Sequence, residues 1–241
     1  MPMGYRYANI DLSKKYKLVL YMFYINRIPE FLRRFLPGDV WEISSEEPTL
    51  YLSFDDGPHP QITGFVLDEL RKWNAKATFF CIGKNVKQYP EMYRQILEEG
   101  HSVGNHTMHH LNAWSVKEEV YLEDVAEAKT YIDSDLFRPP YGKITRFLQK
   151  RLAAPAYGMK TIMWSLLSAD FDAKVSPEKC LNNVVLRAKS GDIIVFHDSE
   201  KAKEKIEFAL PRTLQYFNEK GYAFKRIEMK RKNFSKKVGP G

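Results

Sequence analysis

Two carboxylates, Asp55 and Asp56, stand side by side after the apolar run Leu50-Tyr51-Leu52-Ser53-Phe54 and before Gly57-Pro58. The run reads as a buried strand and the Gly-Pro pair as its stop. Consecutive side chains of a strand leave on opposite faces, so adjacent acids at its end can do two jobs, one binding a cation and one handling a proton. Helix capping needs a single Asp and explains neither the second acid nor the apolar lead-in. Further along, His106 and His110 have the i, i+4 spacing that puts two imidazoles on one side of a helical turn. With one of the two acids they make a two-His, one-carboxylate set with open positions, used by catalytic zinc and also by iron. His109 offers a rival pairing with His106, or a role facing solvent or behind the ligands.

Arg138 precedes two prolines, which stiffen the backbone and fix where it points. It is suited to orienting one of the acids by charge-assisted hydrogen bonds. Asp170 and His197 each follow an apolar run. Paired, the carboxylate would raise the imidazole pKa and keep it protonated as a general acid. His101 begins a strand and reads as structural. His59 lies in the loop after the acids and reads as solvent-exposed, with a substrate contact as the alternative.

These residues need elements to position them. From residue 50 onward strand and helix patterns alternate. Strands are expected at 50–54, 77–82, 101–104, just before Arg138, and at 160–167, 192–196 and 222–227. Ser176 and Pro177 read as N-cap and first residue of a helix. The last helix is expected at about 208–220, with Pro211 better suited to a first turn than to a middle. The strand runs are continuously apolar, as when both faces of a parallel sheet are covered. Seven such units suggest a barrel one unit short of the eightfold form, and every candidate residue falls just past a strand's C-terminal end, on one rim.

At 241 residues, 44% hydrophobic and 28% charged, the chain is expected to form a single globular α/β domain. Cys81 and Cys180 read as free, buried thiols. Six of the seven net positive charges lie beyond residue 220, a basic tail rather than a basic face, so no nucleic-acid partner is expected. Lys14, Lys15 and Lys17 precede the apolar run Leu18 to Ile25, with no small-residue cleavage site after it. The next segment, from Pro29 to Leu36, reads as a short amphipathic helix closed by Pro37-Gly38. The expectation is an N-terminal extension, 1–47, packed on the domain, with membrane-surface contact as the alternative. The expected location is cytoplasmic or peripheral at a membrane, and the expected state a monomer.

Ser53-Phe54-Asp55-Asp56-Gly57, His106-Thr107-x-x-His110, Arg138-Pro139-Pro140-Tyr141, Asp170-Phe171 and Val195-x-His197 resemble the five ordered motifs of the polysaccharide deacetylases, the NodB-homology domain of carbohydrate esterase family 4. The resemblance spans about residues 48–228, leaving 229–241 as a tail. Phe171 stands where the family usually has Trp, Leu167 where an acid is often found, and Val195 where Leu is usual. The resemblance implies an irregular seven-stranded (β/α) barrel. It implies one divalent ion on Asp56, His106 and His110, zinc first, with cobalt, nickel or iron as other candidates. Asp55 would be the general base, held and aimed by Arg138. The Tyr141 backbone N–H would face the oxyanion, and His197, held by Asp170, would protonate the leaving amine. The implied reaction removes acetyl groups from an N-acetylated glycan of the chitin-oligomer or peptidoglycan type. The alternatives are de-O-acetylation, another metal-dependent amidohydrolase or phosphoesterase reaction on the same rim, or glycan binding without catalysis. Trp164 and rim aromatics could stack on sugar faces, although a strand Trp is more often core.

Overall fold

The computed structural model describes residues 26–228. Its centre is β1 (Thr49–Asp55), buried along its whole length. Leu50, Leu52 and Phe54 point outward into a core shared with helices, each contributing about 1.5–3 kcal/mol of burial. Tyr51, Ser53 and Asp55 alternate with them, and Tyr51 packs with Phe80, Leu136, Ile162 and Ile193 in a second cluster. The strand's period of two thus sorts an apolar outer layer from an inner face that carries Ser53 and Asp55.

β2 (Ala77–Cys81), β3 (Ser102–Asn105), β4 (Leu136–Phe137), β5 (Lys160–Thr161), β6 (Leu166–Leu167), β7 (Ile193–His197) and β8 (Ala223–Phe224) complete a wholly parallel sheet. Its order is β5-β4-β3-β2-β1-β7-β6, with β8 against the start of β1. The single strand expected at 160–167 is two short ones. Its first half pairs with β4 and its second with β7, so one bent segment joins the two edges of the curled sheet. The expected seven-stranded irregular barrel is therefore present, with one of its strands broken in the middle.

The helices are α1 (Glu30–Arg33), α2 (Pro60–Lys72), α3 (Gly83–Gln88), α4 (Pro90–Glu98), α5 (Glu118–Lys129), α6 (Arg146–Ala153), α7 (Pro177–Val185) and α8 (Lys203–Glu219). α7 begins as expected, the Ser176 hydroxyl accepting from the Lys179 N–H. α3 is too short and polar to show a periodic apolar stripe; among its residues only Gly83 and Val86 are buried. α8 starts earlier than expected and carries Pro211 in its interior. Its buried stripe, from Ile206 through Ala209, Leu210, Thr213 and Leu214 to Phe217, holds the helix together across the bond that proline cannot make. Cys81 and Cys180 are free and buried, as expected.

Residues 1–25 and 229–241, with the basic tail and much of the expected N-terminal extension, lie outside the described residues. From Asn26 the chain runs along the 160–167 segment. Leu167 donates to the Asn26 carbonyl, Ile28 to that of Ser165, and Val40 bridges Ile162. Arg27 makes a two-pronged ion pair with the fully buried Asp192, at 2.8 and 3.0 Å. The helix expected over 29–36 is only one turn, α1. Arg33, bonded to Glu42 and to the Ile28 carbonyl, is its buried residue, while Phe31 and Phe35 face outward.

Candidate active site

Strand register builds the site. β1 and β7 run side by side with Asp55 opposite His197. On the other flank Cys81 of β2 faces Asn105 of β3, and Asn105 faces Phe137 of β4. The ends of β1, β3, β4 and β7 therefore deliver Asp55-Asp56, His106, Arg138 and His197 to one rim.

Asp55 is buried, and its Oδ1 accepts from the Arg138 guanidinium at 2.7 Å. Arg138 is fully buried. It also donates to the Ser53 hydroxyl at 2.8 Å and to the carbonyls of Ile162 and Met163 at 3.2 and 3.0 Å, and its guanidinium lies 3.9 Å from the Phe80 ring centre. It is no surface ion pair. It reaches from the end of β4 to β1, and the carbonyls it holds belong to the broken middle of the 160–167 segment.

Asp56 lies one residue past β1, with φ 81°. Its Oδ1 is 3.1 Å from His110 Nε2 and 3.7 Å from His106 Nε2. One ligand atom from each of the three residues falls within 4.8 Å of the others. The buried Asp56 Oδ1 nevertheless has no hydrogen-bond partner. Ligand atoms about 2.0–2.1 Å from a tetrahedral ion stand about 3.4 Å apart, so this spacing and the orphaned oxygen both fit one divalent cation. His106 Nδ1 is 2.8 Å from the Arg138 carbonyl, which can only accept. The proton therefore sits on Nδ1 and the Nε2 lone pair faces Asp56. Burial pushes the His106 pKa down to about 4, against the pull of Asp55, which keeps the ring neutral as ligation requires. Burial opposes ionisation of Asp56, but the imidazoles of His110, His197 and His106 override it and hold its carboxyl below the usual range.

The helical turn expected to carry the two histidines is absent. Residues 106–110 form an irregular loop with φ of 66° at Thr107 and 57° at His110. That loop is tied from behind. Asn105 Oδ1 accepts from the Thr107 N–H at 2.8 Å, and Asp124 of α5 accepts from the N–H groups of Met108 and His109 and pairs with the His109 ring at 2.6 Å. His109 is thus paired with Asp124 and half-exposed, outside the Asp56, His106 and His110 cluster. His101 accepts the Ala77 N–H inside the fold, and His59 caps α2 and faces Glu200.

His197 and Asp170 meet twice. Asp170 Oδ2 accepts the His197 backbone N–H at 2.6 Å, and Oδ1 faces Nδ1 at 2.8 Å. Burial alone would depress the imidazole pKa, but the Asp170 carboxylate, helped by Asp56 and Asp55, raises it to about 9. Tyr141 sits in a tight turn at φ 60°, its ring 4.7 Å from that of His110. Gly142 and Lys143 donate to the Pro139 and Pro140 carbonyls, a pairing that leaves out the Tyr141 N–H. Phe171 packs edge-on to His197 at 5.2 Å. Trp164 is partly buried, between the inner core and Gly142.

Sequence reasoning missed Asp198. Its Oδ1 accepts the Gly57 N–H at 3.0 Å, its Oδ2 the Thr63 hydroxyl at 2.5 Å, and its own N–H donates to the Asp55 carbonyl at 3.1 Å. It clamps the acid-bearing loop to the residue after His197. Burial pushes its carboxyl up to about 7, against the bond from Thr63. Gly57 is forced by this contact, because a Cβ there would lie 2.0 Å from Asp198 Oδ2. The available signal was an acid beside a strand-end histidine. For Asp124 it was an acid one turn from Tyr121 on the buried face of α5.

Comparison with known proteins places the chain among relatives of one family. The polysaccharide deacetylase family model matches residues 42–162. A peptidoglycan-N-acetylglucosamine deacetylase of Bacillus cereus is 38% identical over 190 residues, covering 76% of this chain and 88% of that protein. A chitooligosaccharide deacetylase of Azorhizobium caulinodans is 33% identical, covering 67% and 79%. Among solved structures, a peptidoglycan N-acetylglucosamine deacetylase in complex with a naphthalenyl N-oxidanyl-benzamide superposes with a TM-score of 0.72 at 28% identity, over 78% of this chain and 90% of that one. A family 4 carbohydrate esterase from Streptomyces lividans, in complex with acetate, gives 0.64 at 26% identity, over 75% and 93%. With its fold, its ordered motifs and its relatives in agreement, the chain belongs to the polysaccharide deacetylase family.

Proposed function

We propose that this chain is a metal-dependent hydrolase that removes acetyl groups from an N-acetylated amino-sugar glycan of the peptidoglycan or chitin-oligomer type. The observation that carries the reading is the convergence of Asp56, His106 and His110, whose ligand atoms lie within 4.8 Å of one another, beside the Asp55–Arg138 and His197–Asp170 pairs. Asp56, His106 and His110 would hold the ion, with zinc the assignment their type and number favour. Bound there, it supplies a Lewis acid for the acetyl carbonyl and a water ionised near pH 7.

The rest is the work of this chain's side chains. Asp55, fixed by Arg138, takes a proton from the water whose oxygen attacks the acetyl carbon. The Tyr141 N–H donates to the oxygen that becomes negative, a contribution of roughly 3 kcal/mol for one such donor. His197, held protonated by Asp170, gives its proton to the sugar nitrogen as the C–N bond breaks. Acetate and a free amine leave. Phe171, Tyr141 and Trp164 supply apolar surface for sugar faces.

Acetate release from chitin oligomers and from peptidoglycan fragments tests the reading. Activity should vanish on chelation and return with zinc. Release that survives complete metal removal, or no release from either substrate after reloading with zinc, cobalt or nickel, would reject it.

A further inference from the structure

Three phenylalanines face outward on one flank. Phe31 is 65% exposed, Phe35 74% and Phe147, on α6, 56%. Hydrogen bonds hold the two segments edge to edge. Arg146 donates to the Arg34 carbonyl at 3.4 Å, and Gln149 accepts from the Gly38 N–H at 3.0 Å and donates to Asp39 at 2.8 Å. Arg34, Arg146, Lys150 and Arg151 stand exposed around the rings, and none is in an ion pair among the described residues. The Arg151 guanidinium is 5.9 Å from the Phe147 ring centre. The nearby acids are Glu30, exposed, and Asp39, which is occupied by Gln149 and the Thr161 N–H.

Attachment of this segment does not use the rings. Backbone bonds to Ser165 and Thr161, with Arg33 and Arg27, hold it in place. Large rings left in water beside unpaired cations match a partner that is anionic at its surface and apolar just beneath, the profile of a lipid interface. A soluble polyanion would engage the cations and leave the rings wet. The apolar run Leu18 to Ile25 directly precedes this segment in sequence, a second apolar signal of the kind stable attachment needs.

We propose that the flank formed by Phe31, Phe35 and Phe147 with Arg34, Arg146, Lys150 and Arg151 docks on an anionic lipid bilayer. The full chain is to be sedimented with vesicles of phosphatidylcholine alone and with about one third phosphatidylglycerol. Binding should require the anionic lipid and weaken as salt rises. Lys150→Gln and Arg151→Gln should each cost about fivefold, and Phe31→Ser with Phe35→Ser about tenfold or more. Acetate release from soluble chitin oligomers should be unchanged in all of these variants, which shows them folded whatever the vesicles do. Equal binding to both vesicle types, or none, overturns the proposal. Vesicle binding that ignores these substitutions assigns attachment to another part of the chain and also overturns it. Capture by heparin that depends on the cations and not on the rings, without vesicle binding, reassigns the flank to a polyanion.

Discussion

Replacing Asp170 by Asn removes the carboxylate that touches His197 at both its ring and its backbone nitrogen. The imidazole pKa of about 9 would fall toward the ordinary 6.5, because burial is then opposed only by Asp56 and Asp55. A general acid must be protonated, so the alkaline limb of kcat/KM should move down by about that interval. At pH 8 the protonated fraction drops from about 0.9 to about 0.03, a loss of about 30-fold, and the loss should shrink as pH falls. A dication held by Asp56, His106 and His110 would act on both proteins alike and would leave the difference that Asp170 makes. Stability follows the same sign. A pKa raised in the folded state stabilises fully below pH 6.5 and progressively less as pH rises through about 9. That contribution is about 3 kcal/mol, so denaturant titration should find the variant's deficit largest near pH 6 and smaller above pH 9. The assay is the kcat/KM–pH profile of both proteins with soluble chitin oligomers. A variant profile scaled down uniformly, its alkaline limb unmoved, would refute the pairing of Asp170 with a proton-donating His197.

Asp55→Asn should retain the metal and lose turnover by a factor on the order of 100 to 10,000, whereas His106→Ala should lose both; metal analysis beside acetate release separates them. Asp198→Ala leaves the Gly57 N–H and the Thr63 hydroxyl without their buried partner, at about 2–4 kcal/mol, and should lower kcat about 100-fold through a loosened acid loop; unchanged kcat in a soluble variant would make Asp198 a bystander. Gly57→Ala should be worse alone than in an Asp198→Ala background, because the clash at 2.0 Å is with that carboxylate; additive costs in thermal unfolding would deny the contact.

The sequence by itself determined the alternation of strand and helix, the parallel sheet and which residues stand as candidates for the site. Those signals are local. Apolar runs, Gly and Pro stops and polar residues just past strand ends are written within a few positions of one another. Tertiary structure alone decided that residues 160–167 break into two strands joining both edges, since that depends on Arg138 capturing the carbonyls of Ile162 and Met163 from a distant strand. It likewise decided that His106 and His110 converge through an irregular loop. Positive φ at Thr107 and His110 is held there by Asn105 and Asp124, and no i, i+4 pattern encodes such bonds. Asp198 and Asp124 escaped notice for one reason: an acid whose work is to accept backbone N–H groups is identifiable only when those groups are beside it, and the nearest in space are far away in sequence.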